Sequence, residues 1–396
     1  MPEAPANHRA DAGARETLAR FGASGDVLDA LLAYTANPFD IGRLDAAGLP
    51  LPDEPHVEVW EEYARESEGD GVLPALARRL VQLRFPIEAG ISQTDAYRAA
   101  TRRGEAPPGD VPGLALEEPG GLDLALHPTL AGRVPVLTAS CRRDFVALVR
   151  ACSCRNEPEP VPDSMGACIV SGLNNWDRVA RARDRLERDR GAPFDDDGWA
   201  EAFRALVPQK ALYQDRLIIL SREPYSAVPA TLLGIDDAEW RARSVVIRRE
   251  HECTHYFTLR AFGVMRNNLF DEFVADFAGL VRAYGRYDAG LALRFLGLEA
   301  YPDYRAGGRF ENYLQTPPIA PEAASILQGI VVRAARQVEG VTASLHLADP
   351  SVCARVVVAL AASSLVELAG DDATVRFHRR LASVTGRALT GWKPSE

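Results

Sequence analysis

Lysine is almost missing from this chain. Of its 45 basic residues only Lys210 and Lys393 are lysine. That bias fits a GC-rich coding sequence, so abundant arginine is not by itself a sign of phosphate recognition. A surplus of positive charge is missing too: the net charge is -10 and the pI about 5.4, which argues against nucleic acid or an anionic membrane as the main partner. Nor is there a long apolar run. The longest mostly apolar stretch, Val356 to Val366, lies between Arg355 and Glu367, well short of the roughly 20 residues that span a bilayer. Met1 to Arg20 carries Glu3, Asp11 and Glu16 and lacks an apolar segment of signal-peptide length. Six cysteines are too few for a disulfide scaffold. These absences together lead us to expect a cytoplasmic protein.

Several common site patterns are absent as well. Cys141, Cys152, Cys154 and Cys168 fit no zinc-finger spacing and read as small core residues. The run Asp195-Asp196-Asp197-Gly198 lacks the alternating ligands and terminal Glu of a calcium loop, and suits a helix N-terminus. Ser164 is not in a G-x-S-x-G elbow, although its loop, Pro162 to Gly166, could line a pocket.

What is present is an ordinary globular composition, 47% hydrophobic and 25% charged over 396 residues. A substantial core is expected, with length for two or three domains or for one enzyme core with appended helices. Residues 14–103 read as mainly helical, with Leu73, Leu76, Leu80 and Leu83 at helical spacing and Pro74 suited to a first turn. Residues 103–121, rich in Gly and Pro, are the best candidate linker. Residues 134–137, 167–170 and 216–221 read as strands, the last most clearly. Arg178 to Arg190 is a mixed-charge helix, expected to be a solvated face. The region from Ser244 to about Phe262 reads as a helix, and from Asn268 to about Tyr284 as another. After residue 308 the chain turns helical to its end. The expected organisation is an N-terminal helical region over 1–115, an α+β core over 116–300, and a C-terminal helical region over 301–396, with helix in excess.

The segment His251-Glu252-Cys253-Thr254-His255 carries chemistry. Histidines four apart project from one face of a helix, one turn above the other, so both imidazoles can reach one ion. The intervening Glu252 lies near that face, where it can hydrogen-bond a metal-bound water without ligating the metal. With 7 His and 27 Glu in the chain, chance would supply about 0.01 such matches. Val245, Val246 and Ile247 before the motif, and Tyr256, Phe257 and Leu259 after it, suggest a buried helix. Downstream, Asn268 is a good N-cap, and Glu272 and Asp276 share a face of an otherwise apolar helix. Two acids on such a face need a partner. Glu272 can ligate the ion, and Asp276 can accept the free N–H of a ligating histidine. Cys253 should point away from the metal face.

These residues resemble the gluzincins, zinc metallopeptidases with H-E-x-x-H and a glutamate ligand on the next helix. The resemblance rests on His251, Glu252, His255, Glu272 and Asp276 and covers residues 244–284, about a tenth of the chain. Two details depart from the family pattern: the gap of sixteen residues between His255 and Glu272 is short, and Asp271 stands where an Asn is usual. The resemblance implies a zincin-like α+β core binding Zn2+ through His251, His255 and Glu272, with Glu252 as general base acting on a peptide or small amide. A simple hairpin would be strained unless the first helix ends before Phe262 or the two helices cross. Tyr225, or the cluster Tyr301, Tyr304, Arg305, Arg309 and Tyr313, could supply an oxyanion donor. Residues 216–221 could be an edge strand pairing with substrate, or a plain core strand. Two other functions stay open: a non-catalytic scaffold stabilised by zinc, and a di-iron oxidase, which would need a second E-x-x-H that the sequence lacks.

Overall fold

The structure is a computed structural model that describes residues 5–46, 48–109, 111–265, 268–315 and 318–385. It is α+β and rich in helix. By contacts the chain groups into two units, one made of residues 1–51 and 224–396, the other of 52–223. This grouping differs from boundaries near 115 and 300. The Gly/Pro-rich stretch after residue 103 is no linker either, because Leu114 is buried and donates its backbone N–H to Leu83 O within the 52–223 unit.

The larger unit begins with α1 (Pro5–Arg20) and α2 (Gly25–Thr35). The 52–223 unit holds helices α3 (Val57–Asp70), α4 (Val72–Arg79), α5 (Asp95–Arg103), α6 (Arg142–Ser153), α7 (Trp176–Arg190) and α8 (Asp196–Leu206). Its strands are β1 (Asp123–Thr129), β2 (Gly132–Thr138), β3 (Ala167–Asn174) and β4 (Gln214–Leu220). They form one sheet in the order β1-β2-β4-β3, with β2 and β4 parallel and the outer pairs antiparallel. The β-branched run Ile218-Ile219 is fully buried at its centre, as expected of a strand covered on both faces. Strand β4 is therefore interior, between β2 and β3. It pairs with β3 along its length and with β2 at Ile218, Ile219 and Leu220, so it is not an edge strand open to an added peptide.

Helix α7 is only partly a solvated face. Arg178 turns inward to a 2.6 Å ion pair with Asp215, both residues buried. Trp60 Nε1 and Asn175 Nδ2 donate to the same carboxylate, which satisfies a charge that would be costly to bury alone.

The larger unit continues with α9 (Asp237–Phe262), α10 (Leu269–Tyr284), α11 (Ala289–Leu296), α12 (Pro321–Thr342), α13 (Pro350–Ala361), α14 (Leu365–Ala369) and α15 (Ala373–Thr385). The last eleven residues, expected to be helical, lie outside the described residues. Helix α9 starts seven residues earlier than the sequence pattern suggests, capped by Asp236, whose side chain accepts from Glu239 N. It runs to Phe262 and does not end early. There Gly263 takes φ +73, and Arg43 Nη1 donates to Phe262 O at 2.9 Å. A Cβ on Gly263 would collide with that guanidinium.

Helix α10 packs along α9, with a point of closest approach. A Cβ added to Gly279 would lie 2.6 Å from Ile247 O, so only glycine lets the two backbones meet there. Ile247 is one turn before His251, and Gly279 one turn after Asp276. The contact therefore fixes the helix spacing at the residues that matter. Gly279→Ala is expected to cost about 1–3 kcal/mol as the helices move apart, read as a lower midpoint in denaturant unfolding. An unchanged midpoint would show that the helices are not held by this contact. No helix among the described residues is long and apolar enough to cross a membrane.

Candidate metal centre

Every residue of α10 from Leu269 to Val281 is buried. Asp271, Glu272 and Asp276 are thus acids inside the unit, not on a solvated face, and each needs a partner. Asn268 starts the helix by accepting from Asp271 N at 2.9 Å, which sets the register in which Glu272 and Asp276 face α9.

On α9, His251 and His255 point their Nε2 atoms at one another, 3.1 Å apart. Glu272 Oε2 lies 3.4 Å from His251 Nε2, and Oε1 lies 3.4 Å from His255 Nε2. The three residues are 4%, 6% and 9% exposed. Two nitrogens and a carboxylate oxygen are a donor set suited to zinc. The spacing fits as well: bonds of about 2.0–2.1 Å in a tetrahedron put ligand atoms about 3.3 Å apart. Among the described residues this is the one group of three or more His, Cys, Asp or Glu with converging ligand atoms, and no fourth such side chain joins it.

The outer nitrogens of both histidines face acids. His251 Nδ1 is 2.9 Å from Asp276 Oδ1, and His255 Nδ1 is 3.2 Å from Asp271 Oδ1. The latter contact is too oblique for a straight hydrogen bond. With a proton on Nδ1, held by Asp276, the Nε2 lone pair of His251 is directed to the shared point, as a ligating histidine requires. Tyr225 OH donates to Asp276 Oδ1 at 2.6 Å. Arg309 Nη1 donates to Tyr225 OH at 3.0 Å, while Nη2 bonds Asp276 Oδ2. Tyr313 OH donates to Glu272 Oε2 at 2.8 Å.

Electrostatics follow from this enclosure. Burial disfavours a charged Glu272, yet the facing histidines hold its carboxyl well below the usual range. Burial likewise opposes ionisation of Asp276, and Arg309 with His251 overcomes it. Burial also opposes protonation of the imidazoles, but the acids raise His251, and raise His255 strongly. Burial drives the Tyr225 and Tyr313 phenols up, so both stay neutral donors. Glu272 and Asp276 share one permanent cation, Arg309. With both imidazoles neutral, as ligation requires, the negative charge left over is what a divalent cation would meet.

Glu252 stands apart. It is half-buried, is not among the converging donors, and makes no hydrogen bond or ion pair among the described residues. Cys253 is buried and outside the donor set, and burial pushes its thiol up. Of the oxyanion candidates, Tyr225, Arg309 and Tyr313 gather around the ligands but are bonded to the acids. Tyr304 instead bonds Gly308 O, and Arg305 bonds Glu299 and Arg294 O. Asp271, noted in the sequence only as standing where an Asn is usual, sits against His255. Of the loop Pro162 to Gly166, Asp163 lines a cleft of about 620 Å³ in the 52–223 unit, next to Val161. Its arginines are engaged: Arg143 pairs with Glu117, and Arg142 and Arg150 bond loop carbonyls.

Tyr225→Phe removes a donor to Asp276 and an acceptor of Arg309 while keeping the ring. Loss of such an outer partner costs about 10–100-fold in metal affinity. Competition with a chromophoric chelator should show that loss, and equal affinities would mean that Tyr225 only packs.

The two helices thus bring His251, His255 and Glu272 together as a buried group whose ligand atoms could hold one ion. The chain belongs to a family of unknown function (DUF7005), whose family model matches residues 16–372. No curated protein and no solved structure matches the chain.

Proposed function

We propose that this chain is a zinc-dependent hydrolase acting on peptide or small amide bonds, with His251, His255 and Glu272 as metal ligands and Glu252 as general base. The observation that carries this reading is the convergence of two imidazole nitrogens and a carboxylate at tetrahedral spacing, with an uncommitted glutamate on the same helix. Zinc held there supplies Lewis acidity to a substrate carbonyl. Glu252 takes the proton of the attacking water and passes it to the leaving nitrogen. Asp276, fixed by Tyr225 and Arg309, keeps the proton of His251 on Nδ1. Tyr313 holds one oxygen of Glu272.

The zincin likeness is proposed for α9 and α10 alone, since the four-stranded sheet belongs to the 52–223 unit. None of the six cysteines is in a disulfide, which supports a reducing compartment, the cytoplasm. A second reading, a structural zinc site in a non-catalytic protein, draws on the burial of the ligands. Against it, no fourth His, Cys, Asp or Glu joins them among the described residues. A di-iron site has even less support, for lack of a second cluster. The deciding experiment screens the zinc-loaded chain against peptide and amide libraries. Hydrolysis that a chelator abolishes and zinc restores is expected. Hydrolysis indifferent to both would overturn the proposal.

A further inference from the structure

Helix α12 buries one face and leaves another open. Gly329, Arg333, Arg336, Gln337 and Gly340 recur along it at spacings of three, four and seven residues, so they share a stripe about 16 Å long. With α15 and the Phe21 and Tyr301 rings, this stripe encloses a cleft of about 580 Å³, the size of a small-molecule site.

One uncompensated cation, Arg336, lines this cleft in a chain that is acidic as a whole. The net charge is -10, yet the residues lining the cleft include Arg333, Arg336 and His378 and no acid. Arg333 is held by Asp371 and lies over the Phe21 ring. Arg336, in contrast, makes no hydrogen bond or ion pair among the described residues. His378 donates Nδ1–H to Thr374 O at 2.8 Å, which leaves Nε2 of the neutral ring an acceptor. Ser344 and Thr374 add hydroxyls, while Phe21, Val332 and Val341 supply an apolar wall.

The two glycines are the second observation. A glycine inside a helix costs about 0.5–1 kcal/mol relative to alanine. At Gly329 packing explains it, because a Cβ would lie 2.8 Å from Tyr301 OH. At Gly340 nothing does: a Cβ there would meet no atom within 4 Å. The missing side chain only deepens the cleft.

We propose that this cleft binds a small organic phosphate, its phosphoryl group held by Arg336 and the Ser344 and Thr374 hydroxyls and its apolar body against Phe21 and Val341. The site is separate from the metal ligands, and its test does not depend on them. Phenyl phosphate titrated into the full chain by calorimetry should bind saturably, at least about tenfold tighter than inorganic phosphate, and benzyl alcohol should not bind. Arg336→Gln should weaken phenyl phosphate at least about tenfold. Gly340→Leu should abolish binding while raising the thermal midpoint, since leucine favours helix, so lost binding there cannot be ascribed to unfolding. Absence of saturable binding, or equal binding by wild type and both variants, would overturn the proposal.

Discussion

Glu272→Ala is expected to strip the chain of bound zinc and, with it, of the stability that zinc confers. The substitution removes the one anionic ligand and leaves Arg309 and the Tyr313 hydroxyl without their partner on that side. The loss of affinity should exceed the 10–100-fold typical of an outer-shell partner. A ligand that binds only the folded state contributes about 4 kcal/mol when its free concentration is 1,000 times Kd. For a unit of this size that corresponds to about 8–16 °C in thermal midpoint. Wild-type chain should therefore melt at least several degrees higher with zinc than with a chelator, and Glu272→Ala should melt alike in both. A zinc-dependent rise that persists in the variant would place the metal elsewhere.

Glu252→Gln should produce the opposite pattern. Glu252 is not a ligand and carries no hydrogen bond or ion pair among the described residues, so zinc content and thermal midpoint should stay as in wild type. Turnover of any amide substrate found by screening should fall about 10²–10⁴-fold, the range set by a general base. The glutamine keeps shape and polarity but cannot accept the proton. Full activity in this variant would remove Glu252 from the mechanism and leave a metal site without a hydrolytic base.

Much of the centre was legible because it is local. His251 and His255 share a helix face by the 3.6-residue period alone, and Glu272 and Asp276 repeat that logic after a gap of sixteen residues. The short gap raised a conflict with helix lengths, and α9 does run to Phe262. Gly279, which lets the two backbones meet, carries no sequence mark that separates it from other glycines. The outer partners depended on tertiary contacts: Tyr225 comes from a short turn before α9, Arg309 and Tyr313 from a 3₁₀ turn after α11. For Arg309 and Tyr313 the one sequence signal was a local density of Tyr and Arg, which also contains Tyr304 and Arg305, placed elsewhere; Tyr225 stood alone after the strand. Strand β4 was recognisable by its β-branched residues, but its interior position depends on β2 and β3 pairing across long separations. Arg178 shows the same limit. A helix of alternating charges reads as solvated, and only the fold brings Asp215 beneath it.

The centre itself is tested most directly by metal content. Chain purified without chelators and loaded with zinc should carry one zinc ion by inductively coupled plasma mass spectrometry. A chain that retains no stoichiometric divalent metal after loading would contradict the assignment of His251, His255 and Glu272 as its ligands.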